Sequence, residues 1–335
     1  MSTTPSEGIC HQKDDMRKVV MRNSSEHPGR RVHTTTMPFV PARTVRAKYR
    51  YFRSGRRSVL RKTNLNLDDD DYAIQTDFTL SDVEKRAWRN LFAVAPPFDI
   101  PLPYELPAML PPATRLVTSL GVNLRFLRHV RTLVTYDTGR PPLRAGDGYT
   151  VRTWVGDVTV LGSNSILVVL HSEVLDDDGA TRVAHQAHFM IDKVGERNMA
   201  RLRADPARNK TDLGSLDLTR YTKETLDMKV ETTSTFVVPP RMGIRFARLS
   251  GDYNVHIYRV AARLFGFRKP FIQGNATAAY AVRYISEISA EAMKFLDIVF
   301  IRPVFVGEEV EFQSAARRFR MSDSRGRVLA HGTWR

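Results

Sequence analysis

A faint internal repeat constrains the fold of this chain more than any other feature. Pro142-Leu143-Arg144-Ala145-Gly146-Asp147 is echoed by Pro303-Val304-Phe305-Val306-Gly307-Glu308. Each run leads into alternating apolar positions, Tyr149 and Val151 in the first case, Val310 and Phe312 in the second. Alternation puts every second side chain on one sheet face, so a half-buried strand is predicted after each run. Further on, "DDDGATRV" (residues 176–183) is echoed by "SDSRGRV" (residues 322–328), each a polar turn opening into a strand that begins Arg-Val. Two echoes in the same order predict two copies of one fold.

The intervening segments fit that plan. "SDVEKRAWRNLFA" begins with Ser81 and Glu84 at capping-box spacing, which predicts a helix from Asp82. Residues 96–112 hold seven prolines in seventeen positions and are predicted to be extended or turn-rich, wrapping the surface of the body. "TRLVTSLGVNLRFLRHV" reads as an apolar helix running into a strand. The strands "YTVRTWVGDV", "SILVVLHSEVL" and "RVAHQAHFMI" follow. After a polar stretch, residues 201–223, a second series repeats the pattern: "LDMKVETTSTFVV", two helices, then three strands to the end. Each half is a helix packed on antiparallel strands, an α+β class. The expected division is an arm over residues 1–62, a first unit over 63–200 that includes the proline-rich segment, a linker over 201–225 and a second unit over 226–335.

The net charge of +15 invites a nucleic-acid reading, but its location weakens that reading. Residues 1–62 carry 15 Lys/Arg against 4 Asp/Glu, a net of +11, which leaves only +4 for the rest. The basicity is mostly a property of the arm and not of the folded body. Residues 16–62 hold 14 Lys/Arg and a single acid, Glu26, which resembles a mitochondrial transit segment. The alternative is a disordered basic tail on a cytoplasmic protein, able to contact RNA or acidic partners. One cysteine, Cys10, rules out a disulfide within the chain and a cysteine-based zinc site. No run of 18 apolar residues occurs, so no transmembrane helix is expected. Asp68 to Asp71 read as a solvated loop, with a carboxylate metal site as the alternative.

The chemistry concentrates in "ARLSGDYNVHIYRVAARLFGF", which starts at Ala247. Asp252 and His256 stand four residues apart in a polar turn with Asn254, and Gly274 opens the next, small-residue helix. This stretch resembles the signature of the MaoC-like hydratase/dehydratase family, hotdog-fold proteins that include (R)-specific enoyl-CoA hydratases and 3-hydroxyacyl-thioester dehydratases. Ser250, Gly251, Asp252, Asn254, His256, Gly266, Phe267 and Gly274 fall on the family pattern. The resemblance runs from Val238 to Arg335, is weaker from Leu116 to Asp192, and does not reach the arm. It implies a double hotdog whose first copy is degenerate. It also implies hydration of trans-2-enoyl thioesters, or the reverse dehydration of 3-hydroxyacyl thioesters in fatty acid metabolism. The substrate would be carried by coenzyme A or an acyl carrier protein, with no cofactor or metal, and the chain would form a homodimer.

That reaction needs a base for water, an acid for the α-carbon and a donor for the thioester oxygen, where enolate charge develops. The resemblance assigns Asp252 and His256 as the acid/base pair. It assigns Gly274 and Asn254 to substrate binding, the Gly274 N–H, with the helix dipole behind it, to the thioester oxygen and Asn254 to shaping the turn. There are two departures. "NVH" stands where the family has Asn-Pro-(Ile/Val)-His, and Gln273 stands where His-Gly is usual. The first departure keeps open a second reading: a non-catalytic hotdog subunit of a larger, RNA-containing assembly. A thioesterase is a third option on the same fold, but its usual active-site patterns are absent from the sequence. His185 and His188 are three apart on a predicted strand and should face opposite ways. His129 and His171 sit alone in apolar runs and read as core or interface residues.

Overall fold

The computed structural model of the chain describes residues 32–34, 73–94, 102–137, 139–141, 143–204, 227–253, 257–264, 266–289 and 291–335. Its strands are β1 (Val32–Thr34), β2 (Ala73–Thr79), β3 (Leu127–Tyr136), β4 (Gly148–Val160), β5 (Ile166–Leu175), β6 (Thr181–Ile191), β7 (Thr232–Val237), β8 (Phe295–Phe300), β9 (Glu309–Ala315), β10 (Arg318–Asp323) and β11 (Val328–Trp334). Its helices are α1 (Asp82–Phe92), α2 (Leu102–Ser119), α3 (Glu196–Ala204), α4 (Met242–Ser250), α5 (Arg259–Leu264) and α6 (Gly274–Ile288). All strands join one sheet in the order β1-β2-β4-β5-β6-β3-β8-β11-β10-β9-β7.

Read outward from the β3–β8 seam, one side runs β3-β6-β5-β4-β2 and the other β8-β11-β10-β9-β7. The second series is the first with every number advanced by five. The chain is therefore two copies of one antiparallel unit, related by an approximate two-fold axis at the seam: a double hotdog. The echoed turns show why the sequences match there. Gly179 donates to Asp176 O (2.9 Å) and Gly326 to Asp323 O (2.8 Å). Asp176 N–H donates to Ala180 O (3.1 Å) and Asp323 N–H to Arg327 O (3.0 Å). Both glycines sit in the left-handed region, φ 79° and 72°, where a Cβ is disfavoured.

In the second copy α6 is the wrapped helix. Ala276, Thr277, Ala278, Ala279, Tyr280, Ala281, Val282, Tyr284 and Ile285 are all buried, so the helix is covered almost all round, and its small residues let strands and neighbouring helices approach closely. Phe236, Tyr280, Tyr284, Phe312 and Phe319 continue the core as a run of stacked rings.

In the first copy the corresponding helix is α2, and it corrects the expectation for the proline-rich segment. Residues 102–119 are helical although Pro103, Pro107, Pro111 and Pro112 lie among them. Pro103 stands in the first turn, where its missing N–H removes no bond. The later prolines each remove one and cost about 3 kcal/mol in an ordinary helix interior. Burial offsets this: Met109, Leu116 and Val117 are almost fully buried, the last two in a cluster with Ile74, Val158, Ile166 and Val168. Proline also holds φ near −65°, a helical value.

Two further expectations change. α3 extends through Ala204, so the first residues of the expected linker are helical. Within the arm, β1 pairs in parallel with β2, Val32 opposite Ala73, so the sheet begins in the arm. The remaining arm residues, Asp68 to Asp71 and residues 205–226 lie outside the described residues. No helix among the described residues is long and apolar enough to cross a membrane.

α1 begins as its sequence predicts. Glu84 N–H donates to Ser81 Oγ (3.2 Å) and Ser81 N–H donates to Glu84 Oε2 (3.3 Å), a reciprocal cap. Trp88 and Phe92 on its inner face pack edge-on against Phe246 of α4. Ser81→Ala should lower stability by about 0.5–2 kcal/mol, read from the urea unfolding midpoint. An unchanged midpoint would mean that packing alone holds α1.

Candidate active site

The turn after α4 is built by its own sequence. Ser250 Oγ donates back to Phe246 O (3.0 Å) and accepts from Asp252 N–H (3.1 Å). Between them Gly251 takes a left-handed conformation, φ 80°, and its N–H closes on Ala247 O (2.9 Å). Serine, glycine and aspartate thus each have a geometric task in ending α4 and turning the chain. The Asp252 carboxyl lies in poorly solvated surroundings, and burial pushes its pKa up to about 6. Asn254 and His256 lie outside the described residues.

Gln273 joins this turn to α6. It is buried and occupies the position before the helix, with extended backbone. Its Nε2 donates to Asp252 O (2.8 Å) and to Gly243 O (3.2 Å), so one amide ties the turn to the helix start. Oε1 of the same amide is buried and meets no donor among the described residues. Gln273, at the family's second departure, therefore bonds the turn directly.

Gly274 opens α6 with its amide among the helix's unpaired N–H groups. A Cβ here would lie 2.9 Å from His129 Nδ1 and 3.2 Å from Phe300 Cε2, so glycine is required by close approach. His129, from the first copy, thus stands at the start of the second copy's central helix. Its ring lies between Phe189 (4.9 Å between centroids) and Phe300 (5.0 Å). Its Nε2 is 3.1 Å from Arg131 O and 2.8 Å from Thr132 Oγ1. Burial lowers its pKa to about 4, so the ring is neutral at physiological pH. The sequence placed His129 in the core or an interface. The structure puts it at an interface between the copies, against Gly274 and Phe300.

Three more histidines lie on β5 and β6. His185 pairs across from Val134 and His188 from Arg131, on opposite faces as alternation requires. Burial holds both near a pKa of about 3, hence neutral. His171 stacks on Trp154, 5.4 Å between centroids. Among the described residues no group of three His, Cys, Asp or Glu is placed to hold a metal.

Close to the α6 start lies a cavity of about 310 Å³ lined by Arg268, Arg302, Phe305, Arg325 and Arg327, with Glu308 and Asp323. The chain brings it there. Ile272 N–H bonds Val304 O (2.9 Å) and Val306 N–H bonds Pro270 O (3.1 Å), so the cavity wall runs alongside the segment that ends in Gly274. Asp323 is already engaged by Arg327 (2.7 Å), and Glu308 by the Phe305 amide (3.2 Å). The arginines therefore outweigh the acids.

Comparison with known proteins agrees with this architecture. A family model described as MaoC like domain matches residues 221–331. Among solved structures, HtdX of Mycobacterium tuberculosis superposes with a TM-score of 0.59 at 18% identity, over 78% of this chain and 99% of its own. A MaoC-like dehydratase from Phytophthora capsici gives 0.55 at 18%, over 78% and 95%. Full-length peroxisomal multifunctional enzyme type 2 from Drosophila melanogaster gives 0.55 at 18%, over 78% of this chain but only 48% of that longer protein. No curated protein matches the sequence. At these identities the structural likeness establishes the fold, and the family match establishes the second copy: residues 221–331 of this double hotdog are a MaoC-like domain.

Proposed function

We propose that the chain adds water to trans-2-enoyl thioesters to give (R)-3-hydroxyacyl thioesters, or runs the reverse dehydration. The observation that carries this reading is the Gln273 amide, which fixes the Asp252 turn to the helix start at Gly274. It ties the Asp252 backbone carbonyl to the residue that precedes the α6 N-terminus. The family match supports a hydratase or dehydratase activity in general.

In hydration the water oxygen bonds to C3 while Asp252, working with His256, takes a water proton. Electrons of the C2–C3 double bond move towards the thioester oxygen, and the Gly274 N–H donates to that developing charge, aided by the α6 dipole. Protonation of C2 then completes the addition and returns the acid/base pair to its starting state. A carboxyl with a pKa near 6 suits both halves of this shuttle, because it releases and accepts protons close to neutral pH. The first copy forms the shell beside the acyl chain.

The arginine-lined cavity supports a carrier that bears phosphate, as coenzyme A does. Changing Arg268 and Arg325 together to Ala should raise KM for an enoyl-CoA several-fold and leave kcat close to wild type. The same change should have little effect on the enoyl-pantetheine analogue, which lacks the nucleotide phosphates. Equal KM shifts for both substrates would remove the cavity from carrier binding.

The reading itself is tested by following the conjugated absorbance of a trans-2-enoyl-CoA series of increasing chain length with purified protein. Loss of absorbance proportional to protein concentration is expected. Thioester binding with no turnover at any chain length would instead favour the non-catalytic reading.

A further inference from the structure

We propose that His129 is a further catalytic residue of this site, its Nδ1 accepting a hydrogen bond from the reacting hydroxyl group: the water in hydration, the 3-hydroxyl in dehydration. This rests on the hydratase reading above. It adds a group from the first copy, which the resemblance presents only as a degenerate hotdog.

β3 carries a fault in its pairing. β3 pairs with β6 in register from Leu127 opposite Ile191 to His129 opposite Phe189, then resumes at Arg131 opposite His188. Val130 is an extra residue, a β-bulge. In a regular strand His129 and Arg131, two apart, would share a face. The bulge separates them. Arg131 turns to one face and meets Asp297, while Val130 packs with Leu167 and Val169. His129 turns to the helix side, where Thr132 joins it and Gly274 faces it. Bulges re-aim side chains in this way next to active sites.

The hydrogen bonds then fix which nitrogen is free. Arg131 O can only accept, so Nε2 carries the ring proton and donates to it (3.1 Å). Thr132 Oγ1, 2.8 Å from the same Nε2, also accepts, and its own proton is directed to Asn275 Oδ1 at 3.5 Å. Nδ1 is therefore the lone-pair nitrogen, and it is the atom nearest the Cβ position of Gly274. An acceptor beside the helix N–H groups complements them: the amide takes the thioester oxygen, and the imidazole takes the O–H. His129 holds the hydroxyl but does not remove its proton. With a pKa of about 4 it is a weaker base than Asp252 at about 6, so the proton goes to the Asp252–His256 pair. The neighbouring rings of Phe189 and Phe300 keep the imidazole in this orientation.

The test uses the full chain, crotonyl-CoA, and the variants His129→Leu, His129→Asn and His129→Ala. Leucine fills the space without an acceptor, and asparagine returns an acceptor oxygen near the place of Nδ1. His129→Leu is expected to lower kcat roughly tenfold to a hundredfold with KM within about two-fold, the signature of an interaction made at the reacting group. His129→Asn should recover at least half of that loss on a logarithmic scale, at an unfolding midpoint similar to that of His129→Leu. Wild-type rates in His129→Leu would overturn the proposal and leave the hydratase reading standing. A loss that asparagine does not recover would assign His129 to packing and overturn it as well. If His129→Leu does not fold, His129→Asn against His129→Ala decides by the same criterion. An inactive wild type would overturn both this proposal and the reading beneath it.

Discussion

Asp252→Asn should slow enoyl thioester hydration by about a hundred- to ten-thousand-fold, the range that a positioned acid/base contributes. The substitution is isosteric, and the bonds that shape the turn survive it. Ser250 Oγ binds the Asp252 amide and Gln273 Nε2 binds its carbonyl, and both are backbone groups. Loss of rate would therefore report loss of the carboxylate. The pH profile supplies a second check. Burial raises the Asp252 pKa to about 6, so wild-type hydration, which needs the carboxylate, should fall as pH drops through about 6. An ordinary carboxyl would place that limb near 4. In Asp252→Asn the residual rate should lack the limb. Stability should move the opposite way. A carboxyl whose folded pKa lies above its unfolded value favours folding most when protonated, and its contribution declines as pH rises from about 4 through 6. At pH 7 wild type carries this burden and the asparagine variant does not. The variant is expected to be slower and at least as stable, an outcome that unfolding cannot mimic.

The second large effect is expected at the seam. Arg131 of β3 and Asp297 of β8 form a two-point pair, Nε to Oδ1 at 2.8 Å and Nη2 to Oδ2 at 2.6 Å, with side chains only 7% and 4% exposed. They connect the two copies where the strands meet, Arg131 opposite Val299 and Leu133 opposite Asp297. Asp297→Ala would leave a buried guanidinium without this carboxylate, which typically costs about 3–5 kcal/mol. That is a large share of the roughly 5–15 kcal/mol that holds a typical domain together. Urea unfolding should show a much lower midpoint or a chain that does not fold at neutral pH. Replacing both partners, Arg131→Met with Asp297→Leu, should regain most of the loss, because no buried charge is then left over. If the single variant unfolded like wild type, the pair would be contributing nothing to the joint between the copies.

What the sequence revealed was what local chemistry determines. The echoed turns at Gly179 and Gly326 were legible because each is closed by its own few residues. The Ser81–Glu84 cap was legible for the same reason, and so was the small-residue helix behind Gly274. The helix through Pro103 to Pro112 was not. Local preference argues against it, and only burial of Met109, Leu116 and Val117 overrides that preference. The Arg131–Asp297 pair could not be read either, since its partners are 166 residues apart. His129 was hidden most completely. It looked like a core or interface residue in an apolar run, and only the pairing register with β6 exposes the bulge that turns it towards Gly274. Gln273 appeared as a departure from the family pattern, and its two backbone acceptors became visible only once α4 and α6 were placed together.

Hydration by the joined Asp252 turn and α6 start is the property to measure. It is read most directly by incubating crotonyl-CoA with the protein in deuterium oxide and following the acyl group by proton NMR. Addition of solvent across the double bond should place one deuterium at C2 and yield (R)-3-hydroxybutyryl-CoA, at a rate proportional to wild-type protein and nearly abolished in Asp252→Asn. Label incorporation no faster than in buffer alone, or equally fast with wild type and Asp252→Asn, would contradict the account.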